Sequence, residues 1–327
     1  MVSRRCGCKS IKSIRLDSKS HSELMPIPSS QLETWTSYET AAIDSARDTH
    51  RHIRDELERD NSRLQDRDIT FDTLLQGSYA NDTIIRSSSD VDILVRLQRP
   101  FSSDKKKLDQ EEIDHFYQPG HYTSRSDYSY DDFRTDVVDE LEDVYDRDAV
   151  DEGNKAIEVE SSKLSLNADV LPCQEYRFYR EYTSTTEDYI EGIVFWTQHG
   201  NKIRNYPEQH MENASRKHQR TSDRYKPTVR MFKNARNRMD DDGILTKDTA
   251  PSYFVECLLW NVPNSTIDTA DLQDRYEDVV DHLSDDDFDD CRQQHNLLDL
   301  FGHGTTKWTI SDANDFADGL IELWENW

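Results

Sequence analysis

Leu74-Leu-Gln-Gly-Ser-Tyr-Ala-Asn-Asp-Thr-Ile-Ile-Arg-Ser-Ser-Ser-Asp-Val-Asp-Ile-Leu-Val95 reads as a strand, a glycine-serine turn, a short connection and a second strand. The first strand is expected over Ile69–Gln76, with a short turn or helix around Tyr79–Thr83 after it. The run Asp90-Val-Asp-Ile-Leu-Val-Arg-Leu97 alternates strictly and reads as the second strand. Residues two apart on a strand share a face, so Asp90 and Asp92 project side by side while Val91 and Ile93 face the core. Two carboxylates that close repel each other and shift each other's pKa unless a cation lies between them. Hard oxygen donors of this kind suit Mg²⁺, which takes one or two carboxylates and completes its shell with substrate phosphates. Gly77 lets the backbone approach a triphosphate, and the Ser78 hydroxyl and amide are donors for it.

A two-metal centre needs a third carboxylate from a neighbouring strand. Leu164-Ser-Leu-Asn-Ala-Asp-Val-Leu-Pro172 supplies one, since Asp169 is the only acid in an apolar alternating run and is costly to bury unpaired. Any single Asp in a chain with 44 of them would signify nothing. A Gly-Ser at a strand end, two alternating acids on the next strand and a lone acid on a later one together point to a site.

Around this centre the chain reads as α/β (α+β): a lobe with a mixed sheet, a helical C-terminal lobe and a long N-terminal helix joining them. Residues 1–29 are expected to be a basic, disordered extension, with Met25 a second candidate start before Pro26 and Pro28. Residues 30–205 form the α/β lobe and 206–327 the helical one. Leu32, Trp35, Tyr38, Ala42, Ala46, Ile53 and Leu57 fall at helical spacing, which predicts one charged helix over Gln31–Leu64. Residues 100–130 read as an exposed excursion, followed by an amphipathic helix to about Arg147. Further strands are expected at Ala156–Glu160, Ser165–Leu171 and Tyr189–Thr197. Beyond Pro207 the pattern predicts helices at Glu208–Arg220, Tyr225–Met239, Pro251–Trp260, Leu272–Leu283, Phe288–Leu300 and Ala313–Trp324.

The Gly-Ser and Asp-x-Asp pattern resembles the nucleotidyltransferase superfold of DNA polymerase β. More closely, it resembles the CD-NTase family of cyclic-oligonucleotide synthases of bacterial anti-phage defence, similar in its lobes to animal cyclic GMP-AMP synthase and oligoadenylate synthase. The resemblance covers roughly residues 30–325. It makes Gly77 and Ser78 the glycine-serine loop and Asp90, Asp92 and Asp169 the metal-binding, catalytic acids for two Mg²⁺ (or Mn²⁺) ions. In the helical lobe, residues 202–238 hold eleven Lys/Arg against three acids, a cationic stripe in a negative chain. A triphosphate is one reason to keep such a stripe. By the resemblance, Lys233 holds the donor nucleotide's phosphates; Lys217 and Arg204 are weaker candidates. Ser252, in the first turn of its helix, is suited to a γ-phosphate, and Tyr253 to stacking on a donor base. The implied reaction converts ATP, and other nucleoside triphosphates, into cyclic di- or trinucleotides with release of pyrophosphate. Defence-operon regulators and an effector that reads the product are the implied partners.

Composition bounds the alternatives. The formal charge is −26, with 66 acidic against 40 basic residues and only 14 Lys. An Asp-rich, Lys-poor surface fits solubility in high salt, as in a halophile's cytoplasm. Broad nucleic-acid binding is disfavoured, because the phosphate backbone demands a basic surface. No run approaches a membrane span, and the basic N-terminus lacks the apolar core of a secretory signal. Five scattered cysteines (Cys6, Cys8, Cys173, Cys257, Cys291) argue against a disulfide framework and for a reducing, cytoplasmic setting. Between Gln198 and Lys226 no His-Cys-Cys-Cys cluster of zinc-ligand spacing occurs, so direct double-stranded DNA sensing is not expected. The competing functions are another template-independent nucleotidyltransferase, making linear oligoadenylate-like products or tailing RNA or a small acceptor, and a degenerate nucleotide-binding regulatory module.

Overall fold

The computed structural model describes residues 26–37, 40–67, 69–85, 90–118, 127–304 and 306–327. In chain order these form α1 (Ser29–Thr36), α2 (Thr40–Leu57), β1 (Thr70–Leu75), α3 (Gly77–Ala80), β2 (Val91–Asp104), α4 (Gln110–Phe116) and α5 (Tyr130–Tyr145). Then follow β3 (Val150–Glu152), β4 (Ile157–Val159), β5 (Ala168–Tyr182), β6 (Glu187–Trp196) and β7 (Lys202–Asn205). The remaining helices are α6 (Pro207–Arg220), α7 (Tyr225–Asp241), α8 (Ser252–Asn261), α9 (Asn264–Ile267), α10 (Leu272–Asp285) and α11 (Ile310–Glu325). The described residues divide into two compact units, one within 40–215 with Gly304 and Thr306, the other within 26–37, 216–303 and 307–327.

The first unit is built on a mixed sheet in the order β1-β2-β5-β4-β3, with β6 pairing β5 and β7. Among the described strands of this sheet, only β2 and β5 run parallel. One face is apolar because strand alternation sends Val91, Ile93, Val95, Ala168 and Val170 to the same side, where they pack with Ala46, Ile53 and Leu57 of α2 and Phe133, Val137 and Leu141 of α5. The turns after α2 are tied to α5 by charge. Glu140, buried, accepts from Arg59 at 2.6 Å and from the Arg63 amide at 2.9 Å, and Arg67 forks onto Asp136 at 2.8 and 3.0 Å.

The second unit is helical. An aromatic column stacks Phe232 of α7 on Tyr276 of α10 (5.1 Å) and Tyr276 on Trp324 of α11 (4.9 Å). The apolar spacing of α7 buries Tyr225, Val229, Phe232 and Met239 at its centre.

Several expectations change. The helix expected over Gln31–Leu64 is two helices, the first ending at Ser37 in extended backbone. Thr34, Thr36 and Ser37 all turn their hydroxyls onto nearby helix carbonyls, which weakens continuation. The terminal carbonyls of Trp35 and Thr36 accept from Asn234 (3.0 Å) and Arg230 (2.7 Å) of α7, so α1 belongs to the helical unit. The extension expected over 1–29 ends earlier, since Ile27 is fully buried and its carbonyl accepts from Gln273. The rest of that segment, with Cys6, Cys8 and Met25, lies outside the described residues. The excursion expected over 100–130 is partly built structure: β2 runs to Asp104, and α4 starts at a capping box between Asp109 and Glu112. Residues 119–126 lie outside the description.

The helix expected over Phe288–Leu300 is absent. The carboxylates of Asp286 and Asp287 accept from the amides of Phe288 and Asp289. Phe288 and Asn296 take left-handed backbone, and a short bridge joins Arg292 to Asp299. Local Asp turns win over a periodicity that only imitates a helix. The short strands β3 and β7 and helix α9 carry too few residues to show a period.

Phe116 of α4 is buried edge-on against Tyr179 (5.2 Å) and Tyr182 (5.0 Å), whereas its neighbour Tyr117 is 66% exposed. Phe116→Ala should cost about 3–5 kcal/mol in urea unfolding. Tyr117→Ala should stay within about 0.5 kcal/mol of the unmodified protein.

Candidate active site

Within the sheet unit, the β1–α3 turn and the start of β2 meet. The amide of Gln76 donates to the Asp92 carbonyl at 2.9 Å, which carries the chain from β1 directly onto the first turn of α3. Gly77 there has φ +68°, in the left-handed region, and a Cβ on it would lie 1.9 Å from Oδ2 of Asp92. Only glycine satisfies both the backbone and the space. The Asp92 carboxylate therefore lies against the glycine-serine turn, beside the half-buried Ser78. Tyr79 is buried beneath the turn; burial first, then the charges of Asp90 and Asp92, push its hydroxyl pKa up.

The parallel register pairs Asp92 on β2 with Asp169 on β5, and the next strand pairs Asp169 with Glu158 on β4. Paired residues on neighbouring strands lie about 5 Å apart with their side chains on one face. Asp92, Asp169 and Glu158 thus stand in a row across three strands, and Asp90, exposed, precedes Asp92 by two residues. Burial, then the charges of Asp92, Asp90 and Glu158, push the Asp169 carboxyl up to about 6. Among the described residues no three His, Cys, Asp or Glu converge tightly enough to hold a metal ion as they stand. The donor set nevertheless fits a divalent cation: hard oxygens, a space kept open by Gly77, and a concentration of like charge that a cation would relieve.

Glu158 was not singled out by sequence reasoning. The signal was present, since Ile157 and Val159 are buried and alternation sends the residue between them to the other face. Its place beside Asp169 depends on pairing between strands.

In the helical unit, Lys233 of α7 is 1% exposed, and its ammonium is ion-paired with Glu256 of α8. Ser252 opens α8 and is exposed; Pro251 caps it in extended backbone. Tyr253 is half-buried, stacked on Trp308 (5.7 Å), and its hydroxyl donates to Gln293 Oε1 at 3.1 Å. Four cations of the stripe, Lys217, Arg230, Lys233 and Arg236, are buried, whereas Lys202, Arg216, Arg220 and Arg238 are exposed. Arg236 donates to the Ala250 carbonyl (2.8 Å), and Lys217 to the carbonyls of Trp260 (3.0 Å) and Val262 (2.5 Å). Burial brings the Lys217 ammonium down to about 8. Arg204, in the sheet unit, donates to Asp104 and to the Tyr176 hydroxyl. Charge counting sees these cations but not their carbonyl partners, which come from distant turns.

Comparison with known proteins bears on the same elements. Residues 212–325 match the cGAS/DncV-like nucleotidyltransferase C-terminal helical domain. A cyclic UMP-AMP synthase of Rhodothermus marinus is 38% identical over 304 residues, covering 93% of this chain and 99% of its own. The cyclic nucleotide synthase CdnE01 of Staphylococcus haemolyticus is 33% identical, covering 93% and 100%. The structure of the Rhodothermus marinus CdnE c-UMP-AMP synthase with Apcpp and Upnpp superposes with a TM-score of 0.80 at 37% identity, over 92% of this chain and 98% of that one. The Elizabethkingia meningoseptica CdnE cyclic dinucleotide synthase, with GTP and Apcpp, gives 0.69 at 26% identity, over 90% and 98%. With a glycine turn folded onto paired strand carboxylates in one unit, a matching helical domain in the other, and relatives that align from end to end, the chain belongs to the cGAS/DncV-like nucleotidyltransferases, the CD-NTase family.

Proposed function

We propose that this protein joins nucleoside triphosphates, ATP among them, into a cyclic di- or trinucleotide second messenger with release of pyrophosphate, in anti-phage defence. The observation that carries the reading is the Asp92 carboxylate set against Gly77 and in register with Asp169. In each round a ribose hydroxyl attacks the α-phosphorus of a second triphosphate. An O–Pα bond forms, the bond from Pα to the bridging oxygen breaks, pyrophosphate leaves, and the hydroxyl proton passes to solvent. Asp90, Asp92 and Asp169 would hold two Mg²⁺ or Mn²⁺ ions, which supply Lewis-acid charge at the hydroxyl and at the triphosphate. The chain's own part is placement. Gly77 admits the triphosphate beside Asp92, and the Ser78 amide and hydroxyl are donors to it. Lys233, buried and ion-paired with Glu256, would meet the donor phosphates only by giving up that partner to them. Ser252 offers a hydroxyl at a helix start, and Tyr253 a ring for the base. Cyclic products are the work of the relatives named above; a linear transferase would use the same acids and differ in the product.

The test is incubation in high KCl, as the acidic surface suggests, with Mg²⁺ or Mn²⁺ and each labelled triphosphate. Phosphatase-resistant product is expected. A phosphatase-sensitive ladder would instead support linear synthesis, and no turnover with either metal would point to a regulatory module. Asp92→Ala and Asp169→Ala should each lower turnover by at least about 10²-fold. Gly77→Ala should do likewise, since its Cβ would displace the Asp92 carboxylate.

Asp169 also ties the site to stability. Its folded-state pKa lies above the unfolded one, so its favourable contribution is complete below about 4 and is lost as pH rises through about 6. At pH 7.5 in chelator the ionised group opposes folding, and Asp169→Asn should raise the melting temperature by on the order of a few degrees. Excess Mg²⁺ should shrink or reverse that gain by stabilising only the unmodified protein. A lower melting temperature for Asp169→Asn in chelator would contradict the electrostatic account.

A further inference from the structure

The loop that replaces the expected helix over Phe288–Leu300 buries three consecutive polar side chains, Gln293, Gln294 and His295, all within the helical unit. Their hydrogen bonds fix which atoms carry protons. The Leu297 amide donates to Nδ1 of His295 at 3.1 Å, so that nitrogen presents a lone pair. Nε2 of the neutral ring then bears the hydrogen and donates to Gln293 Oε1 at 3.1 Å. The same oxygen accepts from the Tyr253 hydroxyl at 3.1 Å. The amide end of Gln293 is turned the other way, donating to the Asp299 carbonyl at 3.2 Å. The Gln293 carbonyl is thus held between two donors and anchored from behind. Trp308 stacks on the Tyr253 ring at 5.7 Å with 24° between planes, and also on Phe254 at 5.2 Å.

A ring with its hydroxyl bound and a face stacked loses the freedom to rock about its side-chain torsions. That matters for a residue whose neighbours Phe254 and Val255 are fully buried while it remains half-buried. We propose that Gln293, oriented by His295, is a positioning residue for nucleotide binding: together with Trp308 it locks the plane of Tyr253 so that the ring is a preformed platform for a base. This rests on the reading of Tyr253 as the base-stacking residue. The expected energetics follow from its parts. Stacking on the ring is sensitive to orientation, and a preformed platform spares the ordering cost on binding. Removing one neutral hydrogen bond from the clamp should weaken binding roughly three- to tenfold.

The test measures, by calorimetry, binding of the α,β-methylene analogue of ATP, GTP, UTP or CTP that the unmodified protein holds most tightly, beside binding of inorganic tripolyphosphate, which has no base. Gln293→Met, Tyr253→Phe and His295→Leu should each weaken the nucleotide several-fold and leave tripolyphosphate unchanged. The double variant of Gln293→Met with Tyr253→Phe should be no weaker than Tyr253→Phe alone, because Tyr253→Phe already removes the bond to Gln293 along with that to Cys257. Additive losses, or equal losses for nucleotide and tripolyphosphate, would mean general packing and overturn the proposal. Nucleotide binding unchanged in Gln293→Met but weakened in Tyr253→Ala would sink the clamp while leaving the platform standing. Unchanged binding in Tyr253→Ala would remove the platform reading itself.

Discussion

The parallel pairing of β2 with β5 is the constraint on which the site depends. It sets Asp92 beside Asp169 on one face while Val91, Ile93, Ala168 and Val170 close the core on the other. A one-residue slip would reverse both faces, burying the acids against α2 and α5 and turning the core residues outward. The hydrophobic contacts of the helical layer therefore enforce the register that the carboxylates need. Gly77, at the start of α3 just beyond β1, completes the arrangement, since its left-handed backbone and missing Cβ leave room for the Asp92 carboxylate. Burial first, and then the neighbouring carboxylates, raises the pKa of Asp169, a cost that a bound cation would offset.

The helical unit treats its charges in the opposite way. Arg230, Arg236 and Lys217 are buried and donate to backbone carbonyls at helix ends and turns. Arg230 and Lys217 thereby satisfy carbonyls at helix ends, Arg236 one in the turn before α8, and each costs less to bury than an unpaired cation would. Arg230 and Asn234 fasten the C-terminal end of α1, and Lys217 serves the turn after α8. These three cations of the positive stretch thus serve as framework, while Lys202, Arg216, Arg220 and Arg238 face outward. Lys233 with Glu256, and Tyr253 with Gln293, extend the same logic to the residues nearest the proposed donor site. Polar side chains there are held by others, which on the proposed reading orients them before a ligand binds.

Much of this was legible one residue at a time. Period-two alternation marked β2, the Gly-Ser marked a turn that only glycine can make, and the lone acid in an apolar run marked Asp169. Helical spacing marked α5, α7, α8, α10 and α11. Reading went astray where local chemistry competes with periodicity: Thr and Ser hydroxyls end α1, and the Asp286–Asp290 run folds as turns. Glu158 and Glu256 each sit between apolar neighbours, a signal like that of Asp169, but their partners come from other elements, and Gln293 lies in a stretch whose periodicity imitates a helix.

What the sequence by itself determined was which residues can face together along one strand or one helix, because those periods are set by backbone geometry alone. That suffices to set Asp90 and Asp92 on one face of their strand, to mark the glycine turn and to give the fold class. Only the tertiary structure decided which strand lies beside which and which cations are spent on carbonyls. It alone set what lies behind Tyr253. Those outcomes rest on pairings between segments far apart in the chain, chosen by the burial of the whole core rather than by any local preference.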